Sequence, residues 1–394
     1  MSKIGELIKK YCPNGVEYKE LWELTAWDKR FNGIEREKQR KVINYPYVFA
    51  NRFKELERPT GNVRLLSTGN YIGWTNEELA ENNLCDGEIV AIPGGGGANI
   101  KYYKGKFVTA DNRIATSLNT NVLLNKFLYY WMSVNNELLE SFYRGSGIKH
   151  PSMRSVLELK IPTPPQEVQN EIVRILDKFT ELETELETEL EARKKQYEYY
   201  RNSLLSFEDK ASRMATLGEV CLSIPTGGGL PENYKKDQTM PTSKFPYPIY
   251  SNGSGNNALY GYTDSYKIDK DAVTISARGT IGYHAVRKAK FTPIFALIAL
   301  IPNANIITTK YLNYILDTIE IGSSGGSIPQ LTVSNVKKIK IPILSMEVQK
   351  RIVAILGKFD KLVCDISEGL PAEINARHKQ YEYYRGKLLT FKEA

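Results

Sequence analysis

Along one stretch, apolar residues recur in steps of three and four: Ile172, Ile175, Leu176, Phe179, Leu182, Leu186 and Leu190, then Tyr197, Tyr200 and Leu204. Those steps draw a single stripe down a helix. They predict a helix from about Glu167 to about Phe207, uninterrupted by Gly or Pro after Pro165. About 39 helical residues span roughly 58 Å at ~1.5 Å each. A helix that long with a narrow stripe is one side of a coiled coil, here called a strut. Within it, Thr180 to Glu191 reads T-E-L-E three times in tandem. Upstream the pattern is shorter and mixed. A helical lead-in occupies residues 1–20, with Pro13-Asn14-Gly15 as a turn. Strand-like runs stand at Tyr47–Ala50, Val63–Ser67, Glu88–Pro93 and Phe107–Thr109. Asn125–Ser141 reads as a helix carrying Phe127, Leu128, Tyr130, Trp131, Val134, Leu138 and Leu139. Thr163-Pro164-Pro165 links this block to the strut.

The pattern then repeats. Arg193–Arg201 reads R-K-K-Q-Y-E-Y-Y-R, and Arg377–Arg385 reads R-H-K-Q-Y-E-Y-Y-R. Lys160-Ile161-Pro162 recurs as Lys340-Ile341-Pro342, Glu167-Val168-Gln169 as Glu347-Val348-Gln349, and Ile172–Phe179 resembles Ile352–Phe359. The offset is 180 before the T-E-L-E array and 184 after it. In the second copy a stretch containing Gly369-Leu370-Pro371 replaces the tetrapeptides, and its Pro opens a new helical segment or kinks the helix. The large blocks repeat more faintly: Tyr71–Thr75 echoes Leu259–Thr263, and Lys126-Phe127-Leu128 echoes Lys310-Tyr311-Leu312. The order is globular block, helix, globular block, helix. Matched helices imply a common task, and unlike blocks imply two ligands or two halves of one.

Charge sharpens that division. Residues 1–166 carry net +5 and residues 210–345 net +7, whereas residues 167–209 carry −6 and residues 346–394 carry +2. A polyanion bound by the two blocks, and not by the first helix, fits this distribution. The four cysteines, Cys12, Cys85, Cys221 and Cys364, form no C-x-x-C and are expected to be reduced structural thiols. No apolar run approaches the ~20 residues of a membrane span, and Met1–Tyr11 has no signal-peptide core, so a cytoplasmic protein away from membranes is expected.

The duplicated R-x-K-Q-Y-E-Y-Y-R ending, the Ile-Pro followed by E-V-Q, and the tetrapeptide array together resemble the specificity subunit of a type I restriction–modification system. The resemblance covers the whole chain. Weaker signatures of its target-recognition domains are Leu217-Gly218-Glu219-Val220 and Ala277-Arg278-Gly279-Thr280-Ile281-Gly282. The first block departs from these, with Leu21-Trp22-Glu23-Leu24 and Gly94-Gly95-Gly96-Gly97-Ala98-Asn99. The resemblance implies an α+β fold: two mixed α/β globular target-recognition domains separated by two long helices that pair as an antiparallel coiled coil, with a pseudo-twofold internal repeat. The expected boundaries are 1–162, 163–209, 210–342 and 343–394. It implies that each domain reads one part of a split site in double-stranded DNA. The helices would set the gap and carry two methyltransferase subunits, to which restriction subunits add. S-adenosylmethionine, ATP and Mg would belong to those partners, with no cofactor in this chain.

The sequence lacks a catalyst's signatures. It contains no G-x-x-x-x-G-K-[ST] phosphate loop. Pro164-Pro165 is followed by Gln166, not by the aromatic that family methyltransferases place at the target amine. His150, His284 and His378 are scattered, and Glu158-Leu159-Lys160 has no matching acid nearby. No catalytic or metal-binding residue is assigned. Candidate DNA contacts in the first block are Gly95 and Gly96, whose backbone N–H groups would approach a phosphate or base edge, with Asn99, Lys101, Asn112 and Arg113. The plain alternative for the glycines is a flexible turn between strands. In the second block Arg278 stands just past the strand Ala272–Ala277, where Arg can pair with guanine in bidentate fashion. Its alternative is a salt bridge to a nearby acid. Thr280, Ser251, Asn252, Arg287 and Lys288 join it as polar or basic candidates, each weighed against a solvated surface role. Tyr197, Tyr200 and Arg201, with Tyr381, Tyr384 and Arg385, are candidates for docking the methyltransferase subunits. Tyrosines three apart share one helix face, so packing against the other helix is the alternative. Two further readings stay open: a self-contained N6-adenine methyltransferase, and a coiled-coil organiser that binds only protein.

Overall fold

The structure is a computed structural model that describes residues 3–206, 213–321, 330–363 and 368–394. The chain divides into two compact units, Met1–Glu187 with Ile374–Ala394, and Thr188–Glu373. The boundary falls inside both struts, so each unit owns a piece of each.

In the first unit a six-stranded sheet runs in the order Thr25–Trp27, Asn112–Ser117, Cys85–Pro93, Lys101–Thr109, Val63–Leu66, Ile72–Thr75. All neighbours are antiparallel except Val63–Leu66 beside Lys101–Thr109. The burial of Ile89, Val90, Ala91 and Ile92 in succession marks a central strand covered on both faces. The helix Asn125–Val134 sends Phe127, Leu128, Tyr130 and Trp131 into the core beside Val168, Ile172 and Leu176 of the strut. The chain end returns to this unit. Val16 N donates to Lys392 O at 2.9 Å, Tyr18 OH to Phe391 O at 2.9 Å, and Leu389 is buried.

The second unit splits its strands between two four-stranded sheets. One holds Cys221–Ser223, Ile298–Pro302, Ala272–Ile275 and His284–Arg287; the other holds Tyr234–Lys236, Leu259–Thr263, Tyr247–Tyr250 and Thr292–Pro293. Its helix Thr309–Leu316 buries Tyr311, Leu312 and Ile315 beside Ile352 and Leu356. Those two residues stand 180 positions beyond Ile172 and Leu176.

The frame of each unit repeats in detail. Tyr18–Glu20 pairs with Lys160–Pro162, and Arg213–Thr216 with Lys340–Ile343, both antiparallel. The two dissimilar openings fold alike. Leu21–Leu24 and Leu217–Val220 are each one short helix with a capping box, Glu20 with Glu23 and Thr216 with Glu219. Leu21 N donates to Leu159 O at 3.0 Å and Leu217 N to Ile339 O at 2.9 Å. Gln169 and Gln349 are fully buried and do the same work. Each amide oxygen accepts the N–H at the start of a helix, from Leu124 at 2.9 Å and Thr308 at 3.0 Å. Each amide nitrogen donates to two carbonyls, Val122 and Pro164 in one unit, Ile306 and Leu344 in the other.

The first strut is one helix, Gln166–Leu205, of 40 residues. The second is two, Met346–Val363 and Leu370–Leu388, with Pro371 in the first turn of the latter, where a missing N–H costs nothing. Their packing is reciprocal. In the first unit Phe179 lies 5.6 Å from Tyr384 and 6.2 Å from Tyr381; in the second Phe359 lies 5.5 Å from Tyr200 and 5.9 Å from Tyr197. Each duplicated tyrosine ending thus meets the phenylalanine of the other copy, the signature of an antiparallel pair.

Several local expectations need correction. Tyr47–Ala50 is no strand: Tyr47 forms a single bridge to Thr109, and the helix Ala50–Leu56 follows, burying Phe53 and Leu56 at helical spacing. The strand expected at Phe107 begins at Lys101. The helix expected over Asn125–Ser141 breaks at Asn135, whose side chain donates back to Trp131 O at 2.9 Å. The stacked T-E-L-E glutamates need support, for which the sequence offers Lys350, Arg351, Lys358 or Lys361 of the second strut, or a partner. Among the described residues Glu183 faces His378 of the second strut at 3.2 Å, while Glu189 pairs with Arg193 at 2.7 Å and Glu191 with Lys194 at 2.8 Å on their own helix. Lys361 pairs with Glu368 instead. Phe207 and Cys364 lie outside the described residues. Cys12 and Cys85 are buried and Cys221 half-buried, all free, and burial pushes the last two thiols up to about 12.

Candidate nucleic-acid interface and docking surface

The first-unit candidates gather at one end of the sheet. Register places Pro93 opposite Asn112, Ile92 opposite Arg113 and Ala91 opposite Lys101, so the glycine loop connects two strands whose ends carry the polar residues. The loop is packed, not loose. A Cβ on Gly94 would lie 2.4 Å from Asp111 O, one on Gly95 3.0 Å from Ile148, and one on Gly97 3.0 Å from Glu140. Gly96 alone is open, with φ +101, a conformation that favours glycine. Its N–H donates to Lys149 O at 2.8 Å. Ala98 N donates to Glu140 Oε2 at 2.5 Å, and His150 Nδ1 meets Gly94 O at 2.6 Å.

The side chains around the loop differ in what they present. Asn99 bonds Asn70 at 2.9 Å near the surface. Lys101 is half-buried, donates to Ser67 O, and is brought down to about 8 by burial. Asn112 is buried, and its amide donates to Leu66 O at 2.9 Å and Thr109 Oγ1 at 3.1 Å, so its work is to hold the strand ends together. Arg113 pairs with Asp111 at 2.7 Å, and Lys29 shares that carboxylate at 3.1 Å. Beside them a cleft of about 590 Å³ is lined by Lys29, Arg30, Arg113 and Arg154, with Asn32 and His150.

In the second unit Asn252 meets the chain just before Arg278 and Thr280, while Ser251 N donates to Ala258 O at 2.9 Å. Asn252 Oδ1 accepts from Ala277 N at 2.8 Å while its amide nitrogen donates to Phe295 O, so it ties the strand end before Arg278 to a neighbouring turn. Arg278, Gly279 and Thr280 are exposed at the tip of the hairpin formed by Ala272–Ile275 and His284–Arg287. Arg278 bonds the amide of Gln330 at 3.0 Å, not an acid. Behind the tip, His284 Nδ1 meets Gly282 O at 3.0 Å and its Nε2 lies 3.2 Å from Asp317. Burial is the largest influence and works against the charged imidazole, but the Asp317 carboxylate together with the Gly282 and Asn313 carbonyls holds the pKa above the usual value. Arg287 is half-buried, 4.0 Å from the centre of the Tyr250 ring, with its pKa lowered by burial. Lys288 stands at the far end of the hairpin, paired with Asp271 at 2.9 Å.

On the struts, Tyr197, Tyr200, Tyr381 and Tyr384 take part in the pairing described above. Arg201 and Arg385 each lie over the ring four residues earlier, at 5.8 and 5.1 Å. The residue between the paired tyrosines behaves otherwise: Tyr199 is 69% exposed and Tyr383 62%, each edge-on to its neighbour.

The sequence profile described as the type I restriction modification DNA specificity domain matches twice, at residues 13–193 and 212–376. The chain belongs to that family. Members of the specificity family with similar sequences include an Escherichia coli type I restriction enzyme specificity subunit, 34% identical over 71% of this chain and 74% of that one. A Haemophilus influenzae chain named as a type I restriction enzyme specificity subunit is 32% identical over 87% and 93%. A Mycoplasma pneumoniae chain named as a type I specificity subunit is 33% identical over 74% and 90%. The fold matches the crystal structure of an S subunit of a type I restriction–modification system from M. genitalium, with TM-score 0.61 at 20% identity over 96% and 97% of the two chains. No described helix is long and apolar enough to cross a membrane.

Lys29, Arg30 and Arg154 come from segments far apart in sequence that carry no repeat, and only the fold brings them to the loop end. Tyr199 and Tyr383 did carry a signal, because both copies keep a tyrosine off the pairing stripe.

Proposed function

We propose that each unit reads one half of a split DNA site and that the paired struts fix the gap between the halves. The observation that carries this reading is a duplicated frame bearing two different sheets. The same glutamine, capping box and strand pair recur, while the surfaces that face outward differ in both residues and topology. The readers are sought at the glycine-loop end of the first sheet and at the Arg278 hairpin tip of the second, with Arg able to select guanine there. Lys and Arg around both ends supply phosphate contacts, so affinity falls steeply with salt.

The chain itself is non-catalytic in this reading, which rests on the missing phosphate-loop and methyltransferase motifs. Chemistry then belongs to two methyltransferase subunits and to restriction subunits, with their S-adenosylmethionine, ATP and Mg. The tyrosine endings are the docking sites. Tyr199 and Tyr383, exposed and duplicated, offer two equivalent surfaces of the kind a twofold arrangement of partners needs.

The test is the T-E-L-E array. Each unit adds ~6 Å of rise to a helix. With the cognate methyltransferase subunits present, deleting or adding one unit is expected to change the gap in the methylated motif and leave both half-sites unchanged. Mapping methylated adenines across a host genome reads this directly, and altered half-site bases with the old gap would refute the strut role.

A further inference from the structure

The hairpin between Arg144 and His150 packs on the glycine loop through Lys149 and His150. Its base is rigid. Tyr143 pairs with Pro151 and Arg144 with His150, Tyr143 is buried with its OH donating to Pro93 O at 2.8 Å, and Ser152 N donates to Phe142 O at 2.9 Å. Its tip is the opposite. From Arg144 to Lys149 every residue is exposed, and the tip carries one large apolar side chain, Ile148, which is 72% exposed.

Leaving an isoleucine in water forgoes roughly 1.5–3 kcal/mol of burial. The surrounding structure nonetheless fixes it there. Gly96 N holds Lys149 O at 2.8 Å, His150 holds Gly94 O at 2.6 Å, and the missing side chain of Gly95 leaves room for Ile148 to lie across the loop. The glycine run therefore acts as the seat for this hairpin. Beside the seat is the cleft of Lys29, Arg30, Arg113 and Arg154. Asp111 pairs with Lys29 and Arg113, and Glu35 with Arg154, whereas Arg30 donates to the Gln39 carbonyl at 3.0 Å. Arg144 and Lys149 flank the isoleucine on the hairpin itself.

A single rigid apolar tip between cations suits a nucleic-acid groove better than a protein partner. An apolar protein surface would be met by a patch, whereas a groove is met by a thin element with charge on either side. We infer that the Arg144–His150 hairpin enters the DNA groove as the first unit's reading element, with Ile148 against a base edge and Arg30 of the adjacent cleft against a phosphate. The apolar feature that a base edge offers in the major groove is the thymine methyl, so the contact selects a thymine at one position. This rests on the proposal that the chain reads DNA.

The experiment uses the full chain assembled with its methyltransferase subunits. Relative affinities are measured by competition on duplexes substituted at each base pair of the methylated motif. Ile148→Ala is expected to lose discrimination roughly tenfold at one base pair of one half-site, with the other half-site and the melting temperature unchanged. Ile148→Val, which keeps a branched apolar tip, is expected to retain most of it. Arg30→Ala is expected to weaken all duplexes alike and to lower the salt slope by about one. Unchanged discrimination in Ile148→Ala, or relaxation spread over both half-sites, overturns the inference while leaving DNA reading intact. If the unaltered assembly prefers no split motif, the reading of DNA itself fails, and the hairpin's role with it.

Discussion

In the first unit six strands form one sheet, capped by a glycine loop and a projecting hairpin; in the second, eight strands divide between two sheets, and an arginine stands at a hairpin tip. Beneath these unlike layers, Ile161 and Ile341 are both fully buried, and Gln169 and Gln349 make matching bonds. Tyr130 and Tyr314 each donate to a strut carboxylate, Asp177 and Asp360. The two acids do not align in the repeat. Asp177 maps onto Gly357, and Asp360 sits one turn later, where Thr180 stands in the first copy. The contact survived while its sequence position moved, which marks the anchor as what the frame needs. The frames also differ at their starts. The N-terminal helix Lys3–Tyr11 adds Ile4 to the core, and Lys3 lies 3.1 Å from Glu171. Arg174 and Lys3 together hold the Glu171 carboxyl down at about 2. Val168 is sealed there, whereas its counterpart Val348 is 41% exposed and Arg351 replaces the glutamate. Anchors to the strut are shared, and what covers the strut is particular to each unit.

The most direct way to break this comparison is to remove the glutamines. Gln169→Ala and Gln349→Ala each leave a buried helix-start N–H and two carbonyls without partners. The expected loss is about 3 kcal/mol in each unit, read by urea or thermal melting of the full chain. Loss in one unit and near-neutrality in the other would show that the frames are not equivalent.

How far the sequence alone reveals this depends on the range of the forces involved. The first strut was legible because its stripe from Ile172 to Leu190 is a local pattern, and the repeat was legible because anchoring residues keep their spacing. Capping made the short helices alike although Leu-Trp-Glu-Leu and Leu-Gly-Glu-Val differ, since Glu at the third helical position is common to both. The glycine loop was not legible. What Gly94 and Gly95 accommodate is set by Asp111, Ile148 and His150, residues distant in sequence. Asn112 read as polar and near a candidate loop, yet the bonds that bury it come from Leu66 and Thr109. The strand at Lys101 was hidden by its own lysines, whose charged ends obscure the alternation of Tyr102, Val108 and their neighbours.

The reciprocal aromatic contacts sharpen the comparison next. Phe179→Ala removes the ring under Tyr381 and Tyr384, and Phe359→Ala the ring under Tyr197 and Tyr200. Both phenylalanines are half-buried, so each loss is expected at about 1–2 kcal/mol, below the ~3–5 of a fully buried Phe. A double variant whose loss exceeds the sum would show that the two contacts act together.

A smaller effect separates the units by pH. His284 ties the Arg278 hairpin to Asp317, and its folded pKa is raised above about 6.5, its usual unfolded value. A raised pKa means that its stabilisation is complete below that value and fades as pH climbs through the folded pKa. Melting followed upward from pH 6 is expected to show a decline that Asp317→Asn flattens. A decline unchanged in that variant would place the titrating group elsewhere.

The smallest expected effect concerns the T-E-L-E array, which the second strut lacks. Glu181, Glu185 and Glu189 stand four apart on an exposed line, as like charges that oppose the helix by a few tenths of a kcal/mol per pair. Thr180 and Thr184 each donate to the carbonyl four residues back, at 3.1 and 2.9 Å, which helps the chain little. The array is therefore weak as a helix in isolation, and the leucines at Leu182, Leu186 and Leu190 hold it by their half-buried faces. Glu185→Lys converts two repulsive pairs into attractive ones. A gain of about 0.5–1 kcal/mol is expected at low salt, shrinking as the Debye length falls below ~10 Å above about 0.1 M. No gain at any ionic strength would mean that Glu185 already has a favourable partner, and that the array's charge serves a contact its period alone does not reveal.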